Sequence, residues 1–176
     1  MIIDSHCHLT YEPMSSSLEE TIKRANKDGV EFLLTISTED KSFLNILDIL
    51  DKYKCVYGSY GIHPHEAKQH KGIKFENIIE KVKQNKKIIG IGETGLDFYY
   101  NHSEKKDQIE SFLEHIEASQ KTNLPIIVHT RSAEDETFEI LQKAVKKNDL
   151  KILIHCFTGS KDFAFKLLDI GAYISA

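Results

Sequence analysis

Residues 88–98 read IIGIGETGLDF, and the choice between two folds turns on them. Gly90, Gly92 and Gly95 have the spacing of a dinucleotide-binding loop, which needs a helix to open at once so that its N-terminus can meet the pyrophosphate. Here LDFYYN follows instead, and Glu93 inside the loop would repel phosphate unless a metal intervened. The stretch reads better as a strand, Ile88–Glu93, that ends by delivering a carboxylate. A carboxylate directly after an apolar strand needs a reason to face inward. Metal ligation is one such reason; a turn residue or a partner to a cation is the plainer alternative.

Working outward, short β-branched runs alternate with longer segments of helical period, the pattern of consecutive βα units and a parallel sheet. The other strands are expected at Met1–Ser5, Val30–Ser37, Cys55–Ile62, Pro125–Thr130, Ile152–Cys156 and Ala172–Ser175. The first helix is expected to start with a capping box at Ser17 and Glu20, carry Leu18, Ile22 and Ala25 inward, and stop at Gly29. Further helices are expected at Ser42–Tyr53, Ser103–Asn123, Thr137–Lys147 and Asp162–Ile170. In the longest of these, Ile109, Phe112, Leu113 and Ile116 share one side.

In parallel α/β folds the carboxyl ends of the strands share one face, where function gathers. The unusual residues fall there. His6 and His8 alternate with Cys7 at the end of strand one and so point the same way. GIHPHEA puts His63 and His65 after the third strand, Glu93 ends the fourth, LPIIVHTR brings His129 and Arg131, and ILIHCF brings His155. A scatter of 9 histidines would not select strand ends so consistently. A lone His129 or His155 would ordinarily be a hydrogen-bonded core histidine, but that account must be repeated at each strand. Imidazoles converging with one carboxylate suit zinc, manganese or, with waters, magnesium. Glu93 has two oxygens and can bridge two ions, so His6, His8, Glu93, His129 and His155 are the candidate metal ligands. His63, His65 and Arg131 are candidate contacts for an anionic substrate from the rim. Asp4 is placed to support the site from below, Asp97 to accept hydrogen bonds in a loop, and His70, His102 and His115 are given no role.

The 176 residues fit one domain, 1–176, yet fall short of the roughly 250 of a complete α/β barrel. A hydrophobic fraction of 40% and a charged fraction of 28% describe an ordinary globular protein. No apolar run reaches membrane-span length and no secretory signal opens the chain, so a cytoplasmic location is expected. Cys7, Cys55 and Cys156 lack paired spacing and read as packing residues. A net charge of −4 does not favour non-specific grip on nucleic acid, so any polyanion would be held locally or through cations.

In this order, DSHCHL, GIHPHEA, GIGETGLDFYY, LPIIVHTRSAEDET and IHCFTGS resemble the TatD family of metal-dependent deoxyribonucleases, within the amidohydrolase-like hydrolases. The resemblance spans essentially the whole chain. It implies a TIM-type (β/α) barrel and hydrolysis of phosphodiester bonds in DNA, commonly 3′-to-5′ on single strands, with the choice between DNA and RNA left open. It further implies His6 and His8 on one metal, Glu93 bridging, and His129 with His155 on the other. The family continues past GAYIS to an eighth-strand aspartate in an ETD context, so an incomplete barrel lacking its eighth βα unit is expected. Two rivals stand beside this reading. Related barrels cleave phosphotriesters, lactones or amides, often with a carbamylated lysine where Glu93 stands, and a shortened scaffold would bind metal without turnover.

Overall fold

The computed structural model describes residues 1–175. Its strands are β1 (Ile2–Cys7), β2 (Val30–Thr35), β3 (Val56–Tyr60), β4 (Ile88–Asp97), β5 (Ile126–Arg131), β6 (Ile152–Ile154) and β7 (Tyr173–Ile174). Its helices are α1 (Leu18–Lys27), α2 (Asp40–Lys52), α3 (Phe75–Val82), α4 (Lys105–Thr122), α5 (Glu134–Lys147) and α6 (Lys161–Asp169). The seven strands form one sheet in the order of the chain, each parallel to the next. The sheet curls into a half-barrel with the helices outside it, so every strand ends on the same face.

Two apolar clusters hold this arrangement. Phe43, Ile46 and Leu50 of α2 and Ile78 of α3 pack on Leu33, Val56 and Ile91, while Phe112, Leu141, Phe163 and Leu167 cover Leu96, Val128 and Ile154. β1 and β7 are the outer strands, and Ile2, Ile3 and Tyr173 on them are exposed. No described helix is long and apolar enough to cross a membrane.

Several expectations are corrected. Ser17 does precede α1, but its hydroxyl donates to the Pro13 carbonyl at 3.1 Å and caps nothing. α3 was not anticipated, although Ile78 and Val82 bury an i, i+4 stripe within it. Leu113 is half-exposed rather than inward; Gln108, Ser111, His115 and Ser119 are buried instead, because α4 fastens strand ends as well as covering apolar surface. Cys156 is not a packing residue. Its φ of +46° turns the chain out of the strand and leaves the side chain exposed. Cys7 is half-buried, and burial, helped by Asp4, pushes its thiol up to about 12.

The IIGIGETGLDF stretch shows why the glycines are there. β4 runs beyond Glu93 to Asp97, and its pairing with β5 shifts between Ile91–Ile126 and Thr94–Val128. One extra residue on β4 makes a bulge that re-aims a side chain. Gly92 and Gly95, at φ +136° and +137°, flank Glu93, and a Cβ on Gly95 would lie 2.1 Å from the His129 carbonyl oxygen. These glycines serve close strand approach, not a phosphate loop. Gly95→Ala is expected to cost about 3 kcal/mol or more, combining left-handed strain with overpacking. Urea denaturation reads this, and a loss below about 1 kcal/mol would mean the strands can part cheaply there.

Candidate metal centre

Glu93 sits at the centre of the strand-end face and is buried, with 3% exposure. The bulge turns it out of the ladder, its N–H donates to the Ser37 carbonyl at 3.0 Å, and Ser59 Oγ donates to the Gly92 carbonyl at 2.5 Å. Its two oxygens face different histidines. His6 Nε2 and His8 Nε2 lie 3.4 and 3.9 Å from Oε2, whereas His129 Nδ1 and His155 Nε2 lie 3.1 and 2.6 Å from Oε1. Burial opposes ionisation of Glu93, but hydrogen bonds from His129 and His155 outweigh it and hold its carboxyl well below the usual range.

The histidines that alternate on β1 reach the same oxygen, as strand geometry requires. His6 Nδ1 and Nε2 and His8 Nδ1 are buried without a hydrogen-bond partner, and His6 Nε2 stands 3.4 Å from Glu93 Oε2 without forming a hydrogen bond. Orphaned buried imidazole nitrogens are costly and need an account. Lone pairs meant for a cation provide one. The donor atoms of His6, His8 and Glu93 lie within 4.8 Å of one another, as do those of His63, Glu93 and His129. His155 reaches Oε1 but stands outside that second group. These imidazole and carboxylate donors fit a divalent ion of the zinc or manganese type.

His63 has a different task from its neighbours. Its Nδ1 accepts the His65 N–H at 3.2 Å, so the ring proton of the neutral imidazole sits on Nε2, which points at Glu93 Oε1 at 3.5 Å. A ring fixed as a donor suits contact with an anion better than ligation. Its loop is held by α4, because His115 Nδ1 donates to the Ser111 carbonyl at 2.7 Å and Nε2 accepts the Ile62 N–H at 3.1 Å. Burial pushes His115 down to about 4 and keeps it neutral for that role.

Asp97 does more than accept hydrogen bonds in a loop. Its Oδ1 does accept the Tyr99 and Tyr100 N–H groups at 3.0 Å, as a loop acceptor should. Its Oδ2 also takes His65 Nε2 at 2.9 Å and His129 Nε2 at 3.1 Å. A histidine whose one nitrogen is held by a carboxylate presents the other in a fixed orientation, the arrangement that supports ligating histidines. Asp4, by contrast, supports no imidazole; it accepts the His6 main-chain N–H at 3.1 Å.

The rings also form a file across the mouth. Tyr11 stacks on His8 at 5.0 Å, His8 meets His6, and His6 stacks on His155 at 3.8 Å. His155 neighbours His129, which meets His63, and His63 meets His65 at 4.4 Å. His65 then touches Tyr100 and His102. Arg131 lies at the rim over the rings of Tyr99 and Tyr100 at 4.3 and 4.7 Å and donates to the Tyr100 hydroxyl. His70, bonded through Nδ1 to the Glu66 carbonyl, takes no part.

The family described as TatD related DNase matches residues 3–176. A Buchnera aphidicola protein named "Uncharacterized metal-dependent hydrolase BU355" is 39% identical over 182 residues, covering 99% of this chain and 69% of its own length. The Shigella flexneri protein named "3'-5' ssDNA/RNA exonuclease TatD" is 28% identical, covering 98% of this chain and 66% of its own. The crystal structure of YJJV, a TatD homologue from Escherichia coli, superposes with a TM-score of 0.84 at 25% identity, covering 98% of this chain and 66% of that one. The chain thus spans about two thirds of the length of these relatives. With its sequence matched nearly from end to end and its sheet superposing on a TatD barrel, the chain belongs to the TatD related DNase family.

Proposed function

We propose that this chain carries the metal site of a hydrolase that cleaves phosphodiester bonds in single-stranded DNA from the 3′ end, with RNA as a second substrate. The observation that carries the reading is the division of the Glu93 carboxylate, one oxygen facing His6 and His8, the other facing His129 and His155. That division is what a carboxylate shared by two divalent ions requires, with magnesium, manganese or zinc as candidates. Divalent ions held there supply Lewis acidity toward water and the phosphoryl oxygens.

The chain's own residues do the rest. Asp97 holds the His129 ring, and the bulge at Gly92–Glu93 aims the carboxylate. His63 offers an N–H to an anionic oxygen from within the site, and Arg131 offers a guanidinium whose protein partners are aromatic rings rather than a carboxylate. The name of the Shigella relative supports single-stranded DNA or RNA as the substrate.

The test uses single-stranded oligonucleotides labelled at one end or the other. Shortening from the 3′ end is expected, lost in EDTA and restored by manganese or magnesium; product that ignores EDTA would exclude the metal reading. Arg131→Ala is expected to lower kcat/KM about 30-fold, the cost of one charge-assisted contact to phosphate. A fall of only several-fold would remove Arg131 from the substrate contacts.

A further inference from the structure

The ring file ends in exposed tyrosines that connect through other side chains to different oxygens of Glu93. Tyr11 is 46% exposed, yet it is not loose. Its ring lies nearly parallel to His8 at 11°, and its hydroxyl is bonded to Thr38 Oγ1 at 2.6 Å. At the other end Tyr99 and Tyr100 are 58% and 48% exposed, held by main-chain bonds to Asp97 and by the Arg131 guanidinium on their faces. Single exposed aromatics are ordinary on a protein surface. Tyr11 rests one face on His8, and Tyr99 and Tyr100 carry Arg131 over a face, with Tyr100 stacked on His102 as well, so each ring is held in place beside the histidines around Glu93 while part of its surface stays open.

From this arrangement we propose that Tyr11 on one flank, and Tyr99 with Tyr100 on the other, are stacking platforms for the unpaired nucleobases on either side of the scissile phosphate. The inference rests on the phosphodiesterase reading above and adds the part of the substrate recognised beyond the phosphate. Tyr11 connects through His8 to the Oε2 side of Glu93. Tyr100 connects through His65 and Asp97 to His129 on the Oε1 side. A phosphate centred at Glu93 therefore has a ring surface before it and another after it. Stacking of this kind tolerates any base, because every base has a π-face, and it requires that the bases be unpaired. Arg131, lying on Tyr99 and Tyr100, adds a cation beside the second platform, where the neighbouring phosphate of the strand would pass.

Binding tests this without relying on turnover. Affinity is measured by anisotropy in calcium for a labelled oligothymidylate and for an abasic strand of the same length. The chain has 7 Tyr and no Trp, so quenching of tyrosine emission that is present in wild type and reduced in the alanine variants reports stacking. Tyr11→Ala and the Tyr99→Ala/Tyr100→Ala pair are each expected to weaken oligothymidylate about tenfold, within the range of one base–aromatic stack. The abasic strand is expected to bind wild type and Tyr11→Ala alike, while the Tyr99→Ala/Tyr100→Ala pair, which also takes the ring partners from Arg131, should lose less on the abasic strand than on oligothymidylate. Tyr11→Phe keeps the ring and should stay within about twofold, while Tyr11→Leu, which still covers His8, should behave as Tyr11→Ala. Equal binding of base-bearing and abasic strands by the wild type, or full affinity in the alanine variants, overturns the platforms. If such a protein still cleaves oligothymidylate and ethyl 4-nitrophenyl phosphate in a metal-dependent way, only the platforms fall. A wild type that neither binds the strands nor cleaves either ester removes the phosphodiesterase reading as well.

Discussion

Glu93→Gln should reduce metal-dependent hydrolysis by about three orders of magnitude or more and leave the purified protein unable to retain a full complement of divalent ions. The replacement keeps size and shape, so the bulge, the glycine contacts and the Ser37 hydrogen bond made by the main chain are preserved. What it removes is the negative charge and the second equivalent oxygen. Five histidines approach this one carboxylate within 4 Å, His6 and His8 at one oxygen and His63, His129 and His155 at the other, and an amide can present an oxygen to only one of those sides. Metal content by elemental analysis and turnover on single-stranded oligonucleotide should therefore fall together, while the denaturation midpoint in EDTA should change far less. A Glu93→Gln protein that keeps the metal content of wild type would show that Glu93 is not the shared ligand.

The placement of Glu93 was legible before any coordinates because strands impose direction. An apolar run into a carboxylate, and histidines at the same ends of separate strands, leave few ways to avoid a common face once the sheet is parallel. His6 and His8 were legible for an even simpler reason, the two-residue period of a strand. What the sequence did not show was the register change that lets β4 continue through Glu93 to Asp97, since a bulge has no periodic signature. That concealed Asp97 as a partner of His65 and His129. The glycine pair around Glu93 was the available signal, visible as a pattern but open to more than one cause. His115 was hidden differently: on a helix it looks like one more polar position, and only the packing of α4 over the β3 loop reveals that its lone pair meets the Ile62 N–H. α3 has no clear signature in the sequence because its eight residues carry too few turns for a convincing stripe.

Asp97→Asn is expected to weaken metal affinity by about 10- to 100-fold, the usual cost of losing a carboxylate that orients a ligating histidine. Asparagine can still accept the Tyr99 and Tyr100 N–H groups through its amide oxygen, so the loop keeps its shape. Its amide NH2 then faces His65 and His129, where the wild-type Oδ2 accepts from both rings. His129 Nε2 is driven to become an acceptor, which ties the single proton of the neutral ring to Nδ1, the atom directed at Glu93 Oε1. The lone pair is then on the wrong nitrogen. Asp97→Ala should add a loss of about 2 kcal/mol or more in stability, because the two main-chain N–H groups lose their acceptor. The stability difference between wild type and Asp97→Asn carries its own check. Burial resists ionisation of Asp97, but the Tyr100 N–H, His65 and His129 prevail and bring it from an ordinary 3.8 to about 2. Its folded-state acidity is thus greater than in the unfolded chain, so its contribution is complete above about pH 4 and disappears as pH falls through about 2. Metal titration against a chromogenic chelator separates the two roles: unchanged affinity in Asp97→Asn with a reduced midpoint would make Asp97 a loop anchor alone. Weakened affinity, together with a midpoint loss that is present above about pH 4 and fades toward pH 2, is the result that follows from its hold on His129.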